Sequence, residues 1–154
     1  YRDRQISATE TPGAIDVEVI QQIIGSLSKH LTQQNVAQWF GRYMTEAKYP
    51  LEQSPFTVDE ATWQAWLTQE LPAEREPAAR FCYFTDESGT TLFVDGHAYP
   101  CHSALAEALC NRCHWPLTEL ASLCPTTADQ ALLQQLAADN KIVIEPTPEN
   151  IDES

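Results

Sequence analysis

The chain has 154 residues, 43% of them apolar, with 22 acidic against 9 basic side chains and a net charge of −13. That length allows one or two small domains with cores of their own. A charge of this sign cannot neutralise phosphates, which argues against general binding to DNA, RNA or anionic membrane, and no apolar run approaches the roughly 18 residues of a membrane helix. Five cysteines, an odd number, without a signal-peptide pattern point to reduced thiols in a cytoplasmic protein.

Residues 1–13 are polar, end in Pro12-Gly13 and read as a connector. Residues 14–31 predict a long helix with Ile20, Ile23, Ile24, Leu27 and Leu31 on one stripe and Asp16 and Glu18 in its first turn, where the helix dipole favours anions. Gln33 and Gln34 read as a turn into a second helix. Val36, Trp39, Phe40, Tyr43, Met44 and Ala47 recur there at helical spacing, with Gln38, Arg42, Thr45 and Glu46 as the polar side. The short link predicts an antiparallel helical pair. Its faces, Ile20, Ile24 and Leu27 on one helix and Trp39, Phe40 and Tyr43 on the next, exceed what one thin layer hides. Trp63 and Trp66 extend this candidate surface, which reads either as intrachain core or as a dimer interface.

Residues 50–55 read as a loop. Thr57 and Glu60 have capping-box spacing ahead of a third helix. Residues 72–79, rich in proline and charge and without period, read as a linker. Beyond it, residues 80–85 and 90–94 flank an Asp-Glu-Ser-Gly turn as a hairpin, and residues 98–101 add a short strand. Helices are predicted over 103–113, 118–123 and 128–139, the last with a capping box at Thr127 and Gln130 and a C-terminal cap at Asn140. A closing strand spans 141–145. The fold class is α+β, mostly helical. Residues 14–71 form a helical region suited to dimerisation, 80–146 form a winged-helix-like module, and 147–154 form an acidic disordered tail.

Cys110-Asn111-Arg112-Cys113-His114 is Cys-x-x-Cys-His, the attachment pattern of c-type haem. Haem also needs export to an oxidising compartment and an apolar pocket with axial ligands. The motif is expected inside a helix, where cysteines act as small apolar fillers. Zinc is a second reading: Cys110, Cys113 and His114 are weak candidate ligands, but no second pair has finger spacing. A redox role for the two cysteines lacks a thioredoxin-like βαβ context. As a winged helix the module is wrongly charged for a DNA groove: residues 95–141 hold five acidic side chains against Arg112 and Lys141. Protein contact is the better reading.

The helix carrying Gln38-Trp39-Phe40-Gly41, with the following Leu51-Glu52 step, the hairpin, the His102-Ser103-Ala104-Leu105 helix start and the Leu117-Thr118-Glu119 start, resembles the C-terminal part of bacterial ribosomal oxygenases. These are JmjC-type (cupin-4) Fe(II)/2-oxoglutarate-dependent arginine hydroxylases of a large-subunit ribosomal protein. The resemblance spans about residues 1–146. It implies a homodimer through the helical region, with Ile20, Ile24, Leu27, Trp39, Phe40 and Tyr43 at the interface, and a parent that uses iron and 2-oxoglutarate on a basic ribosomal protein. Such enzymes hold iron with His-x-Asp/Glu and a distant His. Here the residues two after each histidine are Thr32, Tyr99, Ala104 and Pro116, so the pair is absent. The expectation is a non-catalytic C-terminal fragment, with the catalytic barrel upstream and no catalytic or cofactor-binding residue in this chain. The alternatives are a free-standing acidic interaction module and a Cys/His metal-binding module.

Overall fold

A computed structural model describes residues 15–47 and 57–145. The connector 1–13, the loop 50–55 and the tail 147–154 expected from sequence lie outside these residues. The chain divides between Val36 and Ala37 into two compact units.

In the first unit, α1 (Val17–His30) starts at Asp16, whose side chain accepts from the Glu18 N–H at 2.9 Å. Asp16 is therefore the cap itself, not a first-turn residue. No residue of α1 is buried: Ile20, Ile23, Ile24 and Leu27 are all exposed. The helix α2 (Gln33–Thr45) opens at Gln33, so the expected Gln33–Gln34 turn is already helical. Thr32 Oγ1 accepts from the Asn35 N–H at 3.2 Å and makes the start.

The second unit holds the packed body. Its elements after α2 are α3 (Glu60–Thr68), β1 (Pro72–Arg75), β2 (Phe81–Asp86), β3 (Gly89–Val94), β4 (His97–Cys101), α4 (Ser103–Asn111), β5 (His114–Pro116), α5 (Leu117–Ser122), α6 (Thr127–Ala138) and β6 (Ile142–Ile144). Strands β2-β3-β4 form an antiparallel meander, and β5-β1-β6 form a second antiparallel sheet with β1 in the middle. The stretch expected as a linker at 72–79 thus contains a central strand. Its only buried residue is Ala73, opposite Trp115 and Ile144, so it shows no apolar period of its own. Strand β5 is likewise absent from the sequence reading.

The core gathers Trp63, Leu92, Val94, Leu105, Leu109, Trp115, Leu117, Leu120, Leu133, Leu136 and Ile142. Trp63 is 4% exposed and Trp66 packs half-buried beside it, so these two belong to the core and not to the candidate surface. Helix α3 is capped by Asp59, which accepts from the Thr62 N–H at 2.7 Å, not by Thr57. Helix α6 is capped by Thr126 with Asp129, one residue earlier than the expected Thr127 and Gln130 pair. Asn140 takes the left-handed conformation just past α6, which suits the end residue expected there.

Two carboxylates tie these elements together. Asp129, buried, accepts from the Thr126 hydroxyl at 2.6 Å and from the His102 N–H at 2.8 Å, so one side chain holds the starts of α6 and α4. Asp95, at the left-handed Asp95-Gly96 turn, accepts from the Arg80 N–H at 2.8 Å and meets Lys141 Nζ at 2.7 Å. The Asp95–Lys141 pair is mostly buried and links the β3–β4 turn to the approach of β6.

Candidate functional site

Helix α2 has two faces, and the structure assigns them opposite roles to those its residue types suggest. The side holding Gln38, Gly41 and Thr45 is the one that packs on the body. Gly41 is buried against the Phe93 ring on β3; a Cβ on Gly41 would lie 2.5 Å from Phe93 Cδ2 and Cε2. Only glycine permits that approach of helix backbone to ring. Thr45 is 1% exposed; its hydroxyl donates to the Gly41 carbonyl at 2.8 Å and accepts from the Gly96 N–H at 3.0 Å. Gln38 Nε2 donates to Thr91 Oγ1 at 3.3 Å, and the Cys82 thiol reaches the Gly41 carbonyl at 3.9 Å. The face read from sequence as polar and outward is therefore, at Thr45, the buried one.

The apolar residues of the same helix face away. Trp39 is 63% exposed, Tyr43 61%, and Val36, Phe40 and Met44 are also exposed. Trp39 and Tyr43 stack at 5.6 Å with 13° between their rings, and Phe40 lies 6.3 Å from Trp39. Contiguous large apolar side chains open to water are a feature of interaction sites and uncommon on monomer surfaces. In the first unit, α1 presents Ile20, Ile24 and Leu27 in the same condition. The six residues expected at an interface are thus all exposed. Gly41 and Thr45 were missed as its counterpart, because small residues carry little signal in an amphipathic pattern.

The Cys-x-x-Cys-His motif is split among three environments. Cys110 lies in the last turn of α4, half-buried, and burial first of all pushes its thiol up to about 12. Cys113 is exposed beyond the helix, where its sulfur accepts from Arg75 Nη2 at 3.4 Å. His114 is in β5, with Nδ1 3.6 Å from Glu74. The motif is not inside a helix as expected: α4 ends at Asn111, with Arg112 already extended. Burial also pushes Cys101 up to about 11 and Cys124 up to about 12, which keeps these thiols protonated. Among the described residues no three His, Cys, Asp or Glu side chains come together to hold a metal. The described residues therefore do not fit an iron site. Among the described residues no helix is long and apolar enough to cross a membrane.

Strands flanked by α4, α5 and α6 over one core define a winged-helix protein. A family model described as ROXA-like winged helix matches residues 19–141, and the chain belongs to that family. Solved structures of Escherichia coli YcfD have the same fold. One, the X-ray structure of E. coli ycfD, is 15% identical with a TM-score of 0.69 and covers 94% of this chain and 39% of its own. A second, described as YcfD, a ribosomal oxygenase, is 16% identical with a TM-score of 0.68 and covers 95% and 41%. A third, of the same oxygenase with cobalt and succinic acid, is 15% identical with a TM-score of 0.69 and covers 95% and 41%. The chain spans about two fifths of the length of these proteins, matching their C-terminal region. No curated protein sequence matches it.

Proposed function

We propose that this chain is the non-catalytic C-terminal region of a cytoplasmic Fe(II)/2-oxoglutarate-dependent ribosomal protein arginine hydroxylase. The observation that carries the reading is the family match over residues 19–141, joined to a shared fold with about two fifths of a ribosomal oxygenase. YcfD has also been solved with cobalt and 2-oxoglutarate, which supports iron and 2-oxoglutarate as the parent's cofactors. In this reading α1 and α2 dimerise the enzyme through Ile20, Ile24, Leu27, Trp39, Phe40 and Tyr43. The winged-helix body supports the catalytic barrel or its basic ribosomal substrate.

Two observations test it. The parent gene should encode, ahead of these residues, a strand-rich segment with His-x-Asp/Glu and a later His. The isolated chain supplied with iron and 2-oxoglutarate should release no succinate above background, because it carries no such pair. Turnover by the isolated chain, or a gene without the upstream segment, would favour a free-standing acidic interaction module instead.

A further inference from the structure

The outer face of the β1–β5 pair carries a trough of about 360 Å³ that no described residue covers. The register sets Pro72 opposite Pro116 and Glu74 opposite His114, all four exposed, while Ala73 and Trp115 between them point into the core. Glu70 stands at one end in the left-handed conformation. Its backbone is fixed: its N–H reaches the Leu67 carbonyl at 3.1 Å, and the next residue, Leu71, bonds Trp66 and Leu117. Two prolines, Pro72 and Pro116, and two glutamates, Glu70 and Glu74, thus line the trough. Among the described residues Glu70 has no ion pair, and Glu74 has only the exposed His114 at 3.6 Å, a contact of little worth.

The charge around this trough is one-sided for a structural reason. Residues 57–145 contain four basic side chains, and each is engaged internally. Arg75 donates to the Leu109 and Cys110 carbonyls and lies over Phe81; Arg80 reaches the Glu46 carbonyl; Arg112 pairs with Glu119; Lys141 pairs with Asp95. The same residues carry thirteen acidic side chains in all, of which Asp95 and Glu119 take up Lys141 and Arg112. Among residues 57–145 no lysine or arginine is left free to compete for Glu70 and Glu74.

We propose that this trough docks an arginine side chain from an extended segment of a basic protein. The methylene stem of an arginine covers an apolar floor such as the prolines give, while its planar guanidinium forks to a carboxylate at the edge. Lysine, a compact hydrated charge, fits the paired carboxylates less well. The proposal goes beyond the oxygenase reading and does not depend on it, since its test needs only this chain.

The probe is an acetylated peptide of alternating arginine and glycine, titrated calorimetrically into the chain at about 0.15 M salt, where long-range surface attraction is screened. Binding should weaken about tenfold in a Glu70→Gln/Glu74→Gln variant, a loss of roughly 1.4 kcal/mol. A Glu87→Gln/Glu107→Gln variant, with the same charge change on exposed sites elsewhere, should lose less than about twofold. Equal losses in the two variants would reduce the effect to general attraction and overturn the proposal, as would absence of binding to the peptide. On the unmutated chain, NMR titration should move the Glu70 and Glu74 resonances first; movement centred on Glu87 or Glu107 counts against the trough. A single-stranded RNA that, added without the peptide, moves the Glu70 and Glu74 resonances also contradicts it.

Discussion

Helices α2 and α6 are of nearly equal length and solve opposite problems. Helix α6 buries Leu132, Leu133, Leu136 and Ala137 and turns its glutamines outward, as an amphipathic helix on a closed core does. Helix α2 buries Gly41 and Thr45 and leaves Trp39, Phe40, Tyr43 and Met44 in water. The difference shows that an apolar stripe marks a face to be covered without saying by what. On α6 the cover is the chain's own core. On α2 the contact with the body is made by small residues, which leaves the large ones for something else.

The sharpest way to break the contrast is to damage each helix on its buried side. Leu133→Ala removes a fully buried side chain from the shared core and should cost about 2–5 kcal/mol in urea unfolding, independent of protein concentration. Gly41→Ala forces a methyl group onto the Phe93 ring and should cost about 1–3 kcal/mol. Phe93→Leu in the same chain should recover part of that loss. A Gly41→Ala protein as stable as the parent would mean that α2 is not held through Gly41 and that its faces are misassigned.

A smaller effect sharpens the α6 side. Burial alone would raise the Asp129 carboxyl, but the Thr126 hydroxyl and the N–H groups of His102 and Thr126 outweigh it and hold it below the usual carboxylate range. Its stabilising contribution is therefore complete above the unfolded value of about 3.9 and fades as pH falls through the lower folded value. Asp129→Asn should cost about 1–2 kcal/mol at neutral pH, the size of a lost helix cap. The gap between variant and parent should narrow below about pH 4. A gap that is constant from pH 7 to pH 3 would separate the stability from the charge.

The sequence made the meander and the last three helices legible through alternation, a turn motif and Leu spacing, because each of those signals is local. It hid β1, whose Pro72, Glu74 and Arg75 read as linker, since the strand is defined only by partners some 40 and 70 residues away: His114–Pro116 and Ile142–Ile144. It hid β5 inside a cysteine motif that reads as chemistry. It identified Trp39, Phe40 and Tyr43 as a face needing a partner, but grouped Trp63 and Trp66 with them, although these pack into the core. The role of Gly41 was beyond reach, because its reason is the Phe93 ring some fifty positions later.

The central claim is that a second copy covers the exposed faces of α1 and α2. In a monomer each of these side chains would leave apolar area in water, at about 25 cal/mol per Å². A twofold partner presents the same patch to itself. The direct measurement is the solution mass by light scattering at tens of micromolar. The account predicts twice the 17.3 kDa chain mass, and a monomer on Ile24→Asp with Leu27→Asp while the winged-helix body still melts cooperatively. A 17.3 kDa species for the unmutated chain at that concentration would contradict it.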